Sequence, residues 1–326
     1  MRIDRRGFIA GLAAAGALAA PRAWAWPDRP MRIVMPFAPG GNGDLTIRIA
    51  AAGLADRLGQ AMVVDNRPGA GGSIGTAEVA RARADGYALL GATAGPLVIN
   101  PLVQANISYQ PLRDFAHIGL ISRMPMVIIL GNDVPARTLA ELVALSKARP
   151  GRISIATSGI GGANHLPLEL FNAATGAGLV HVPYRGGGAA IPDIMGGTVS
   201  GALTELSGVL DLHRAGRARI IAVAAPERSA MLPDAPTFIE AGFADFTAEA
   251  FVGISAPAGT PAAALARLQD ALIATLADAG TQARLLALGG ALATQAQQRP
   301  EGFIPYLEAE IAKARRGVEI AGLKPE

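Results

Sequence analysis

Ile33-Val34-Met35-Pro36-Phe37-Ala38-Pro39-Gly40-Gly41-Asn42-Gly43-Asp44 is an apolar run that breaks into a glycine-rich turn and then feeds an amphipathic helix. Ile153-Ser154-Ile155-Ala156-Thr157-Ser158-Gly159-Ile160-Gly161-Gly162-Ala163-Asn164-His165 reads the same way. Each pattern aims unpaired backbone N–H groups and a helix N-terminus at a point beyond a strand's C-terminal end, where negative charge is stabilised. Two such places in two halves of one chain predict a carboxylate-type ligand gripped from both sides.

Outward from these loops, short apolar runs alternate with helical patterns, which predicts an α/β protein built on mostly parallel sheets. Strands are expected at 31–36, 62–65, 88–92, 116–121, 127–130, 152–156, 179–183, 199–203, 219–224 and 251–256. The helix over 45–58 places Ile47, Ala50, Ala51, Leu54 and Leu58 on one face. A later helix is expected to be capped by Thr260, opened by Pro261, striped by Leu265, Leu268, Leu272 and Leu276, and stopped by Gly280. The last helix should run from about Pro300 to Arg316 and end at Gly317. Two strand-like segments, 118–130 and 250–257, read as crossings between lobes. They predict a discontinuous first lobe, 26–125 plus 251–326, with 126–250 inserted as the second.

Residues 1–25 read as an export signal rather than as part of the fold. Arg5-Arg6 precedes an Ala/Leu/Gly run, and Ala23-Trp24-Ala25 is a small-x-small cleavage site. The arginine pair points to the twin-arginine route, with removal after Ala25. The apolar run is about 12 residues, short of the roughly 20 that span a bilayer. The whole chain has 29 basic and 26 acidic residues. Arg2, Arg5, Arg6, Arg22 and Asp4 leave with the signal, so the remainder is neutral and the basic balance is no nucleic-acid signature. There is no cysteine. Thiolate chemistry is therefore excluded, and an exported chain without disulfides must rely on its core.

The residues offer little reactive chemistry. Gly159-Ile160-Gly161 begins like a dinucleotide fingerprint, but Asn164 replaces the third glycine and no acid closes the strand at 179–182. No cofactor is expected. His117, His165, His181 and His213 show no metal-ligand spacing, so no metal is expected either. Ser158 lacks the Gly-x-Ser-x-Gly frame of a hydrolase elbow, and no pair of acids marks general acid–base work, so no catalytic residue is expected. Asp44 is expected to cap or orient the first loop, or else to take a ligand ammonium. What remains is a cleft of backbone amides, small hydroxyls and the aromatics Phe37, Tyr184 and Phe251, which is a binding site.

Six motifs resemble, in order, the solute receptors of tripartite tricarboxylate transporters, the Bug-type periplasmic binding proteins. The first is Trp26-Pro27-Asp28-Arg29-Pro30 leading into Met35-Pro36-Phe37-Ala38-Pro39-Gly40-Gly41. Val64-Asp65-Asn66-Arg67-Pro68-Gly69-Ala70-Gly71-Gly72 and Asp85-Gly86-Tyr87 follow. The others are His181-Val182-Pro183-Tyr184-Arg185-Gly186, Leu232-Pro233-Asp234-Ala235-Pro236-Thr237 and Ala256-Pro257-Ala258-Gly259-Thr260-Pro261. The resemblance covers nearly all of 26–326. It implies a type II flytrap whose lobes close on a small organic acid and a membrane permease that accepts the cargo, with the receptor working as a periplasmic monomer. It also implies that main-chain amides hold the carboxylate, with contacts from Phe37, Ala38, Gly40, Gly41, Asn42 and Thr93 on one side. Ser158, Gly161, Gly162, Asn164 and Tyr184 are implied on the other.

This chain departs from the family where the ligand would be read. Asn42-Gly43 stands where a Ser/Thr commonly precedes the aspartate. Gly162 and Ala163 replace hydroxyl residues, and Leu203-Thr204-Glu205 replaces Phe-Asp-Asn. If Glu205 faces the cleft, it repels a second carboxylate or welcomes an amine or hydroxyl. Two other readings stay open: a receptor of the same fold feeding a sensor kinase, and an exported serine hydrolase using Ser158.

Overall fold

Strand–turn–helix units fill both ends of the chain, and one pair of long strands joins them. The computed structural model describes residues 26–244, 246–323 and 325. The expected export signal, residues 1–25, lies outside the described residues.

The first lobe begins with β1 (Met31–Met35), α1 (Asn42–Leu58), β2 (Met62–Asn66), α2 (Ser73–Ala80), β3 (Ala88–Thr93) and, after a wide helical turn at Gly95–Ile99, α3 (Asn100–Val103). β1 lies between β2 and β3, parallel to both. The chain then enters β4 (Phe115–Gly131) and builds the second lobe from α4 (Leu139–Ala148), β5 (Ser154–Thr157), α5 (His165–Thr175), β6 (Val180–Pro183), α6 (Ile191–Met195), β7 (Gly201–Glu205), α7 (Leu210–Arg214) and β8 (Ala218–Val223). It returns through β9 (Glu249–Pro257) and ends with α8 (Ala262–Ala277), α9 (Ala279–Leu286), β10 (Ala291–Leu292) and α10 (Pro300–Ala321).

The sheet order is β2-β1-β3-β9-β4-β7-β5-β6, with β8 and β10 also paired to β4. The outer strands of each lobe are parallel, whereas every pairing made by β4 or β9 is antiparallel. The sheet is therefore mixed. Two separate strands were expected at 116–121 and 127–130, but β4 is one continuous strand. Pro125 does not break it because the ladder changes partner there. Residues up to Pro125 pair with β9, and Met126–Leu130 pair with β7.

Helix stripes pack as their spacing dictates. Ile47, Ala50, Leu54 and Leu58 of α1 meet Leu268, Leu272 and Leu276 of α8 over β1 and β9. Full burial of each leucine stabilises the fold by about 1.5–3 kcal/mol. The helix ends differ from expectation. Thr260 turns its hydroxyl back to the Pro257 carbonyl instead of capping α8, and Gly280 lies inside α9. Asp278 ends α8 and caps α9 by accepting the Thr281 N–H at 2.7 Å. Gly317 is also internal: α10 continues to Ala321 and stops at Gly322 in the left-handed region. A Cβ on Gly317 would lie 3.2 Å from Leu166 and 3.3 Å from Leu170, so its bareness serves the approach of α10 to α5.

His117 shows how tightly the crossing strands are packed. It is buried on β4 with Nδ1 2.9 Å from Ser255 Oγ on β9 and Nε2 3.1 Å from the Pro111 carbonyl. Burial lowers its pKa from 6.5 to about 4, against the pull of that carbonyl. An unfolded chain binds this proton at the ordinary pKa, so it holds more protons between pH 6.5 and about 4. Stability must then fall as pH falls through that window, by up to about 1.4 kcal/mol per pH unit from this ring. Urea denaturation at about pH 7 and about pH 5 should show a smaller loss in His117→Gln than in the parent. Equal losses would exclude His117 as a source.

Candidate functional site

A small cavity opens between the lobes at the C-terminal ends of β1 and β5. Phe37, Ala38 and the 41–44 segment supply one wall, with Thr93, Ala94 and Gly95 beside them. Ser158, Ala163, Gly186, Gly187 and Glu205 supply the opposite wall. Ala250, Phe251 and Val252 of the crossing strand close the back, together with Met35. Among the described residues, no lysine or arginine lines this space.

The first wall is organised by Asp44. Its carboxylate accepts the Gly40 N–H at 3.0 Å, Arg48 Nε at 2.9 and 3.0 Å, and Asn66 Nδ2 at 2.9 Å. Burial would raise this carboxyl, but those bonds hold it below the usual carboxylate range. Asp44 therefore orients the loop and is already neutralised by Arg48; it does not cap α1, whose N-cap position is Gly41. Leu45 N–H turns back to Gly41 O, whereas the amides of Gly41, Asn42 and Gly43 have no protein acceptor among the described residues. These are the orphan donors at the start of a 17-residue helix, pointing where its dipole favours an anion. Thr93 adds a buried hydroxyl without a hydrogen-bond partner.

The second glycine loop is put to a different use. Gly159 N–H is spent on Thr157 Oγ1, Gly161 N–H on His165 Nδ1, and Gly162 N–H on Gly159 O. Gly161 and Gly162 do not line the cavity, and neither does Asn164. Asn164 is fully buried: its Oδ1 accepts from Ser158 N–H and Oγ–H, and its Nδ2 donates to Leu203 O. Asn164 is thus a strut between the loop and β7. The open amides of the second wall belong instead to Gly186 and Gly187, after β6, which have no acceptor among the described residues.

Of the remaining expected residues, Gly40 lies outside the cavity with its amide on Asp44, and Ala38 lines it but spends its amide on Arg185 O at 3.2 Å. Tyr184 lines a neighbouring opening with Gly69–Gly72 and donates its hydroxyl to Asp193 at 2.5 Å. Thr204 is buried beside the cavity, donating to Glu205 Oε2 at 3.2 Å. Glu205 faces the cavity, and burial holds its carboxyl above the usual range. Ser158 donates its hydroxyl to Asn164 at 2.8 Å, so the group proposed for a hydrolase is bonded to an amide rather than to a histidine.

Gly186 and Gly187 were legible in principle, because Gly186-Gly187-Gly188 after an apolar strand repeats the strand–glycine–helix pattern of the first loop. Ala250 and Val252 carry no such signal: they alternate like residues of any strand. The metal expectation also needs correcting in one respect. His165 and Glu169, four apart on α5, meet His181 with ligand atoms all within 4.8 Å of one another. The two rings are stacked at 4.6 Å and 25°, a near-parallel arrangement that does not converge their lone pairs on one point. One nitrogen of each props the loop, His165 Nδ1 under Gly161 and His181 Nε2 beside Thr157 at 2.6 Å.

Beyond the cavity the lobes touch directly. Gln104 Nε2 donates to Ala70 O at 3.0 Å in its own lobe and to Ile160 O at 3.1 Å in the other. Gly71, in the left-handed region at φ 59°, has no room for a side chain: a Cβ would lie 2.1 Å from Ile160 O.

Known proteins share this architecture. Residues 46–312 match the family model described as "Tripartite tricarboxylate transporter family receptor". Protein BugT of Bordetella pertussis is 37% identical over 250 residues, covering 76% of this chain and 77% of that protein. The structure of the periplasmic binding protein BugD superposes with a TM-score of 0.89 at 34% identity, covering 92% of this chain and 100% of that one. An R. palustris protein solved with adipate gives a TM-score of 0.87 at 31% identity, with the same coverage. The chain belongs to the tripartite tricarboxylate transporter receptor family, alongside the Bug-type periplasmic binding proteins.

Proposed function

We propose that this protein is exported by its twin-arginine signal, loses residues 1–25, and captures a small organic carboxylate that it delivers to a tripartite tricarboxylate-type membrane transporter. It acts as a monomeric receptor without catalysis. The observation that carries this reading is one cavity walled by both lobes, with orphan amides of α1 on one side and of Gly186 and Gly187 on the other. The adipate bound by the R. palustris relative is a ligand of the same chemical class.

The energetics are sufficient without a cationic side chain. A hydrogen bond from an amide to a charged group contributes about 1.5–3 kcal/mol, and a helix N-terminus adds about 0.3–1 kcal/mol. Three such bonds, with apolar contact against Phe37 and Phe251, approach the roughly 8 kcal/mol of a micromolar complex. The amides cost no side-chain entropy because the loop bonds of Asp44 already fix them.

Capture works by closure of two lobes, 26–125 with 251–326, against 126–250. A carboxylate seated on α1 fills only half of its hydrogen-bonding capacity. The second lobe completes it by bringing Gly186 and Gly187 over the ligand. Because these contacts exist only when the lobes are shut, the ligand shifts the population toward the closed state.

Three outcomes are expected. A panel of mono- and dicarboxylates should contain at least one that raises the melting temperature of the mature protein, and no shift with any would reject the reading. Gly41→Val places its side chain in open cavity space, since a Cβ there meets nothing within 4 Å. It should therefore leave the unliganded melting temperature within a degree or so and cost about tenfold or more in affinity; calorimetric titration giving parental affinity would remove Gly41 from the site. Gly71→Ala wedges the lobes apart from outside the cavity. Small-angle scattering should show it failing to contract at ligand concentrations that close the parent, and normal contraction would refute closure through this contact.

A further inference from the structure

We propose that the cavity selects a zwitterionic amino-carboxylate, with its carboxylate on the α1 amides and its ammonium on Glu205. This rests on the carboxylate-receptor reading above and names the ligand class more narrowly.

Two acids face the cavity, and they are in opposite states. Asp44 is balanced by Arg48 and fully bonded within its own loop. Glu205, at the end of β7, has only the Thr204 hydroxyl, 3.2 Å from Oε2, and its own backbone amide. No lysine, arginine or histidine pairs with it among the described residues, and none lines the cavity. Its carboxyl lies against the second wall, with Oε2 3.3 Å from where a Cβ of Gly187 would stand.

A carboxylate enclosed without a counter-charge is costly unless the occupant supplies one. The cavity is thus polarised across its width. Lobe one offers N–H donors and the positive end of a helix dipole, while lobe two offers an acceptor with negative charge beside its glycine amides. A dicarboxylate laid across it brings its second charge to Glu205, where like charges in a confined, weakly screened space repel. A ligand ending in an ammonium satisfies both ends and converts the lone acid into a buried, hydrogen-bonded ion pair. Phe37 and Phe251 line the space between and suit a short apolar linker. Closure gains from the same arrangement, because the ammonium ties lobe two to a carboxylate held by lobe one.

The test uses matched pairs in calorimetric titration of the mature protein: succinate against β-alanine, glutarate against γ-aminobutyrate, adipate against δ-aminovalerate, with the α-amino acids alongside. The parent should bind at least one amino-carboxylate more tightly than any dicarboxylate. Glu205→Gln should weaken that ligand about 30-fold or more, as for truncation of one partner of a buried charge pair, and should narrow or invert the preference over the matched dicarboxylate. Melting of the unliganded variant should stay at or above the parent, since a carboxyl without a counter-charge has gone from the wall. Tighter binding of a dicarboxylate by the parent would overturn this inference while leaving the carboxylate receptor intact. An amino-carboxylate whose affinity is unchanged in Glu205→Gln would overturn it as well. Silence from every compound would sink both readings.

Discussion

A three-way backbone junction holds the crossing strands in place, and the site depends on it. Met126 N–H donates to Ala248 O at 3.0 Å, Ala248 N–H to Ala224 O at 2.9 Å, and Ala224 N–H to Met126 O at 2.7 Å. The two crossing strands and the end of β8 are thus tied together at one level, where β4 exchanges β9 for β7 and β8. Antiparallel pairing is what makes this possible, since neighbouring strands leave and return through the same gap. The residues just past the junction, Ala250–Val252, form the back of the cavity. The same few hydrogen bonds therefore fix the crossing strands and the back wall of the cavity.

In front of that junction the first wall presents open amides to the cavity without a cationic side chain. The amides at the start of α1 are left unpaired because helix geometry leaves them so, and the Asp44 carboxylate locks the preceding turn so that they converge. Arg48 serves Asp44, not the ligand. This division keeps net charge out of the cavity on the first side and leaves Glu205 as the one uncompensated group lining it among the described residues. The charge difference between the walls thus rests on a single carboxyl, set apart from the amides of α1.

The two glycine loops look alike in sequence and do different work. Both follow a strand and open a helix, yet one displays its amides and the other consumes them. The difference lies in neighbours far along the chain. His165 and His181, stacked beneath the second loop, take the amide of Gly161 and the hydroxyl of Thr157. Asn164 then links Ser158 to Leu203 on β7. The loop becomes a rigid shoulder on which Gly71 and Gln104 of the other lobe rest, and Gly186 and Gly187 take over the open amides.

Local pattern alone marked the strand–glycine–helix units, the leucine stripes and the strand character of the two crossing segments, but not their antiparallel pairing. Those follow from periodicity and from the conformations that Gly and Pro permit, which are properties of short stretches. It also marked Phe37 and Ser158 as cleft residues, whereas Asn42 and Thr93 were named only by the family resemblance; all four line the cavity. Only the tertiary structure decided which amides stay free, that Gly317 is a packing surface rather than a stop, that His165, Glu169 and His181 meet, and that Glu205 turns inward. A hydrogen-bond donor is available to a ligand only if no residue brought near by the fold has already taken it, and that partner can lie anywhere in the chain.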